Sequence, residues 1–197
     1  MLSVIYLLYN EGYSATAGSE WMRPTLCDEA LRLGRILAAL APRDSEVHGL
    51  SALMELQSSR LAARVAEDGS PILLLDQDRS RWDPTLLAAG RRSVRDAALL
   101  RRPGRWQLHA AIAACHADAA TAADTDWLQV LTLYDMRLAY GRSPVVRLNR
   151  AVALAEVEGS ASGLAEVETL ADALSGYHLW HAVRGHLLRD LGDGDAA

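Results

Sequence analysis

The side chains best able to do chemistry are concentrated in one short stretch, Leu75-Asp76-Gln77-Asp78-Arg79-Ser80-Arg81-Trp82-Asp83-Pro84. Asp76 and Asp78 stand two apart, so an extended backbone would turn both carboxylates to one face. Such a pair could hold a divalent cation or share acid and base work. Arg79 and Arg81 lie immediately beside it, however, and two guanidinium groups would neutralise a metal site. Ion pairing and loop capping are the better use of these residues. Trp82 supplies an apolar anchor. The stretch reads as a structural or interface clasp.

The histidines offer two spacings of interest. His109 and His116 share a helical face but lie two turns apart, too far for joint ligation without a third partner. His178 and His181 are close enough at i and i+3, but no acid or cysteine stands at a matching position. Cys27 and Cys115 fall in helical patterns and read as buried, reduced core residues. No G-x-S-x-G elbow marks a nucleophile, and neither G-x-G-x-x-G nor G-x-x-x-x-G-K-[ST] is present to cradle a nucleotide. The arginines Arg91, Arg92, Arg95, Arg101, Arg102 and Arg105 form the one basic concentration, read as a solvated helix face. On these grounds the chain is expected to be no enzyme and to hold no cofactor and no metal.

Helices must position the clasp. Ser3 to Tyr9 is an apolar run taken as helix, broken by Asn10-Glu11-Gly12-Tyr13, with a small-residue loop over 14–20. Pro24 suits a first helical turn, and Leu26, Ala30, Leu33, Leu37 and Leu40 make one apolar stripe. Asp44 or Ser45 can cap the next helix, with the stripe Val47, Leu50, Met54, Leu61. Pro71 to Leu75 reads as a short extended segment, and Asp83-Pro84 as the cap and first turn of the following helix. Beyond 104 come short helices, and Leu148 to Val152 resembles Leu179 to Val183 at a spacing of 31 residues, near the tetratricopeptide period. The expected fold is an all-α, tetratricopeptide-like array of helical hairpins. It divides into 1–104, carrying the clasp, and 105–197, carrying the repeats, or forms one continuous domain.

Composition sets outer bounds. The 197 residues are half apolar with a net charge of −5, enough for a substantial core. All 20 basic residues are arginine, yet 25 acids outnumber them, so no basic footprint for nucleic acid exists at the level of net charge. Lacking a basic start and a long apolar run, the chain is expected to be cytoplasmic, with no membrane partner. The apolar opening and the missing final helix make both ends look truncated. Trp180, Val183 and Leu187 are therefore expected to line an exposed C-terminal edge that favours self-association.

Several motifs occur together in one order. They are Tyr9-Asn10-Glu11-Gly12-Tyr13, Leu26-Cys27-Asp28-Glu29-Ala30, Leu75 to Asp83, His109 to Ala117, Asp124 to Trp127, and Pro144 to Leu154. Across essentially the whole chain they resemble the C-terminal extension of a large group of bacterial extracytoplasmic-function sigma factors, with tyrosine at position 9 where that family usually has phenylalanine. The resemblance implies an all-helical, tetratricopeptide-like extension that follows two sigma regions absent here. It implies a role in transcription initiation through contacts with those sigma regions and with core RNA polymerase, and no direct DNA binding by this segment. The residues carried over by matching motifs are Asn10, Glu11, Tyr13, Asp76, Asp78, Arg79, Arg81, Trp82, Asn149 and Arg150. A stand-alone helical scaffold that binds a peptide or small protein is the alternative.

Overall fold

The computed structural model describes residues 1–15 and 22–192, and among these residues every regular element is helical. The chain divides into two compact units, Met1–Thr125 and Asp126–Ala197.

The first unit contains α1 (Leu2–Tyr13), α2 (Pro24–Leu40), α3 (Ser45–Ser58), α4 (Pro84–Leu99) and α5 (Arg105–Asp118). Helix α3 is its axis. Glycine, alanine and serine alternate around α3 with Val47, Leu50, Leu53, Met54 and Leu56, so nearly every face is buried. A helix lined all round by small or apolar groups belongs in a core. It packs against α1, α2, α4 and α5. Gly49 permits a close backbone approach to α5, because a Cβ there would lie 2.6 Å from the Gln107 Cα. Asp44 caps α3 by accepting from the N–H groups of Glu46 and Val47. Glu46 in turn accepts from the Trp106 and Gln107 N–H groups, so an acid on α3 satisfies orphan donors at the start of α5.

Three sequence expectations change here. Asn10 to Tyr13 do not break α1, which runs through Tyr13. Gly12 lets this last turn pack against α2, where a Cβ would lie 2.7 Å from the Cys27 backbone nitrogen. The α3 stripe stops at Ser58, and Leu61 belongs to a separate 3₁₀ turn, Leu61–Ala63. The boundary expected near residue 104 lies instead between Thr125 and Asp126. Trp106 and Ala110 of α5 sit in the same core as Leu50, Leu53 and Met54 of α3, so α5 cannot be divided from the first unit. The loop expected over 14–20 falls mostly outside the described residues.

The second unit contains α6 (Trp127–Leu138), α7 (Pro144–Glu158), α8 (Ser160–Glu168), the short α9 (Ala171–Leu174) and α10 (His178–Asp190). Its core joins Leu148 and Ala151 of α7, Val167 of α8, Leu170, Leu174, and Trp180 and Leu187 of α10. The repeated segments therefore fall on α7 and α10, which meet through one core. Trp180 and Leu187 are only 7% and 3% exposed, and the Trp180 indole donates to the Val167 carbonyl at 2.9 Å. The apolar edge expected from these residues is closed, because α10 turns their side chains inward on α7 and α8. The terminal stretch from 193 onward lies outside the described residues. Among the described residues no helix is long and apolar enough to cross a membrane.

Candidate functional site

The clasp is built from short turns. An isolated antiparallel bridge joins Val65 to Pro71. The extended segment expected over 71–75 is cut short, since Leu74–Asp76 already form a 3₁₀ turn. Asp78 then caps a second turn, Arg79–Arg81, by accepting from both the Ser80 N–H (2.9 Å) and the Ser80 hydroxyl (2.7 Å). Those bonds hold the exposed Asp78 carboxyl below the usual carboxylate range. Asp83 finally caps α4 through the Thr85 and Leu86 N–H groups, with Pro84 in the first turn as anticipated. Asp76 thus ends one turn and Asp78 opens the next, with the extended Gln77 between them, and Asp78 spends its carboxylate on Ser80.

Gln77, Arg79 and Trp82 are the residues of the clasp that turn inward. Trp82 is 5% exposed and packs with Leu56, Ala63, Ala114 and Ala117, with Leu74 and Leu87 around them. Arg79 lies with its guanidinium carbon 4.7 Å from the Trp82 ring centroid. The same guanidinium donates to the carbonyls of His116 (2.5 Å) and Ala119 (3.0 Å), at the end of α5. A cation on the last carbonyls of a helix satisfies orphan acceptors and complements the helix dipole. The buried Gln77 amide donates to the Ile72 carbonyl at 3.1 Å and closes the loop on itself. Asp76 and Arg81 are exposed, and Arg81 lends its charge to the exposed Asp78, so the clasp shows charges of both signs outward.

A second group of cations stands close to the inner face. Arg60, just past α3, donates to the Tyr13 hydroxyl at 2.8 Å. Arg64 donates to the Tyr13 carbonyl at 2.6 Å and covers the Tyr13 ring at 3.5 Å. Burial, then the charges of Arg60 and Arg79, push the His116 imidazole down to about 4. His116 is therefore neutral at ordinary pH. His116 is flagged by its spacing from His109 and by its motif, though not as a neutral group beside arginines, and Arg60 is flagged by neither. Arg60 follows a helix end 47 residues from its tyrosine partner, and such a pairing has no local signature.

The remaining motif residues serve packing and pairing. Tyr6 hydrogen-bonds Asn10 within α1. Glu11 pairs with Arg23 at 3.1 Å, joining the end of α1 to the start of α2. In the second unit Arg150 pairs with Asp135 at 2.5 Å and with Glu166, linking α6, α7 and α8, while Asn149 is exposed. The structure brings Asp78, Arg79, Arg81 and Trp82 together in one loop and seats Tyr13 beside the arginines behind it. Arg150 belongs to a separate network in the other unit.

The Cys27 thiol is pushed up to about 11 by burial and then by Asp28, and donates to the Tyr9 carbonyl, so it holds its proton. Among the described residues no three histidines, cysteines or acids are grouped as metal ligands would be. What the clasp offers chemically is a rigid loop with a buried cationic hinge and a charged outer face.

The chain is 46% identical over 190 residues to an uncharacterized protein of Rhizobium meliloti (strain 1021), an alignment that takes in 96% of the chain and 45% of that relative. The chain thus spans about half the length of the curated relative it matches. No solved structure matches it. Residues 1–98, which carry the Asn10 to Tyr13 motif, the clasp and most of α4, match a family of unknown function, DUF6596.

Proposed function

We propose that the chain acts as the regulatory, protein-interacting C-terminal domain of an extracytoplasmic-function sigma factor. It works in transcription initiation by touching the sigma regions of the same polypeptide and core RNA polymerase, in the cytoplasm of a bacterium. The observation that carries this is the division of labour within the clasp. Arg79 and Trp82 are consumed by the core, whereas the neighbouring Asp76 and Arg81 face outward, Arg81 lending its charge to the exposed Asp78. A loop anchored on its inner side and charged on its outer side is organised to meet another surface, where charged rim residues set register and choice of partner. The sigma-factor assignment itself rests on the motif resemblance. The similarity to less than half of a longer relative agrees with a domain that works inside a larger polypeptide.

The test attaches a pair of sigma regions ahead of residue 1 and compares polymerase binding and promoter output with and without residues 1–197. Removal of the domain should change one or both. A second arm introduces Asp76→Arg and Arg81→Glu together, which should alter output while leaving the fold intact by circular dichroism. Equal binding and equal output in all three proteins would refute the assignment.

A further inference from the structure

The second unit carries a groove of about 680 Å³ whose lining includes Leu138, Ala139, Arg142, Arg147, Thr169 and Leu170. We infer that this groove is a docking site for an extended acidic segment of a partner protein. The volume falls within the range of sites that enclose several side chains. Its walls come from the end of α6, the turn after it, the start of α7 and the turn between α8 and α9, all within one compact unit. No element of the clasp takes part.

Charge decides the chemistry of the occupant. The charged residues of the lining are Arg142 and Arg147, and no acid joins them. Arg147 is held in place, since it meets Glu166 at 3.4 Å and donates to the Thr169 hydroxyl at 2.9 Å. Thr169 sends its own hydrogen to the Glu166 carbonyl, so the bond to Arg147 has a fixed direction. Glu166 is also engaged by Arg150, so its charge is already shared between two guanidinium groups. Arg142 is different: it is exposed and has no partner among the described residues. Beside it Pro144 opens α7, a helix of 15 residues whose Ser143 cap makes no side-chain hydrogen bond. The positive end of the helix therefore adds to the field of the arginines.

The floor decides the rest. Leu138, Ala139, Leu170 and Ala173 are apolar, and Tyr140, between two lining residues, is 49% exposed. A ligand that fits both features alternates carboxylates for Arg142 with apolar side chains for the floor. An acidic, leucine-containing peptide has that pattern. A nucleic acid would need a longer run of cations than two arginines in a chain of net charge −5.

The test does not depend on the sigma-factor assignment, because it measures binding by the chain alone. A fluorescein-labelled decapeptide alternating glutamate and leucine is titrated with the full chain by anisotropy, beside the same peptide with glutamine for glutamate. The acidic peptide should bind saturably, at least about tenfold tighter than its neutral counterpart, and weaken as salt rises. Arg142→Glu should lower its affinity about tenfold or more, whereas Arg92→Glu, on α4 of the first unit, should leave it unchanged. Arg142→Ala provides a milder variant if charge reversal disturbs folding. Equal affinity for the two peptides, an equal loss in the Arg142 and Arg92 variants, or no saturation by about 1 mM would each overturn the inference. Failure here leaves the polymerase experiment untouched, and the converse holds as well.

Discussion

Arg79 stacks 4.7 Å from the Trp82 ring while its guanidinium donates to the carbonyl oxygens of His116 and Ala119. One side chain thereby joins the clasp, its apolar anchor and the end of α5. The planar fork matters because one nitrogen reaches both carbonyls while the flat face covers the indole. Arg79→Ala should destabilise the chain by about 2 to 3 kcal/mol, the range for losing hydrogen bonds to a charged group in a partly buried site. Arg79→Lys keeps the charge but loses the flat face, so it should fall between wild type and alanine. Urea unfolding followed by tryptophan fluorescence checks the order. Lysine equal to wild type would show that only the charge matters.

Trp82 is the larger anchor. Its ring fills the space among Leu56, Ala63, Ala114 and Ala117, groups too small to collapse into the void it would leave. Trp82→Ala should therefore cost about 3 to 5 kcal/mol. Unfolding of the variant by urea measures this directly. A loss below about 1 kcal/mol would mean that the ring is not packed in solution.

The helices were legible from the sequence because their signals are local. Pro24, Asp44 and Asp83-Pro84 mark helix starts through caps and first-turn prolines, and each stands where it should. Trp82 as an anchor was equally readable, since a lone tryptophan within a charged loop has few other uses. The inner half of the clasp was not. Its partners are backbone carbonyls at His116 and Ala119, 37 and 40 residues away, and carbonyl groups carry no sequence signal. Loop capping, the use favoured over a carboxylate pair, is what Asp78 does: Asp76 ends one 3₁₀ turn, Asp78 opens the next, and serine at position 80 serves the second turn as a local donor. The end of the first unit, between Thr125 and Asp126, was not legible because the contact made by Gly49 with α5 is long-range.

That contact gives a sharp prediction. A Cβ on Gly49 would meet backbone atoms of Gln107 and Trp106, which cannot rotate away as a side chain would. Gly49→Ala must push α3 and α5 apart despite the higher helix propensity of alanine. The net effect should be a loss of about 1 to 3 kcal/mol, typical of overpacking. Thermal unfolding by circular dichroism measures it, and a Tm equal to or above wild type would contradict the close approach. Gly176, where an added Cβ meets nothing within 4 Å, is the matched control, and its alanine variant should differ little from wild type.

The neutral His116 makes stability depend on acid in a defined window. Its folded imidazole titrates at about 4, pushed down first by burial and then by Arg60 and Arg79, against 6.5 for an ordinary histidine. Between those values the unfolded chain binds a proton that the folded chain does not. Stability is therefore lost as pH falls from about 6.5 and stops changing on this account below about 4. The loss attributable to this group is on the order of 3 kcal/mol. Acids share these surroundings, Asp118 on the same helix and Asp124, whose charge acts on Arg79. The comparison must therefore be with His116→Gln, which leaves those acids in place. Urea midpoints measured at pH 7, 6, 5 and 4.5 should fall more steeply for wild type than for the variant, with the largest divergence below pH 6. Parallel curves would show that His116 is charged in the folded protein, and that Arg60 and Arg79 do not face it as closely as the structure has them.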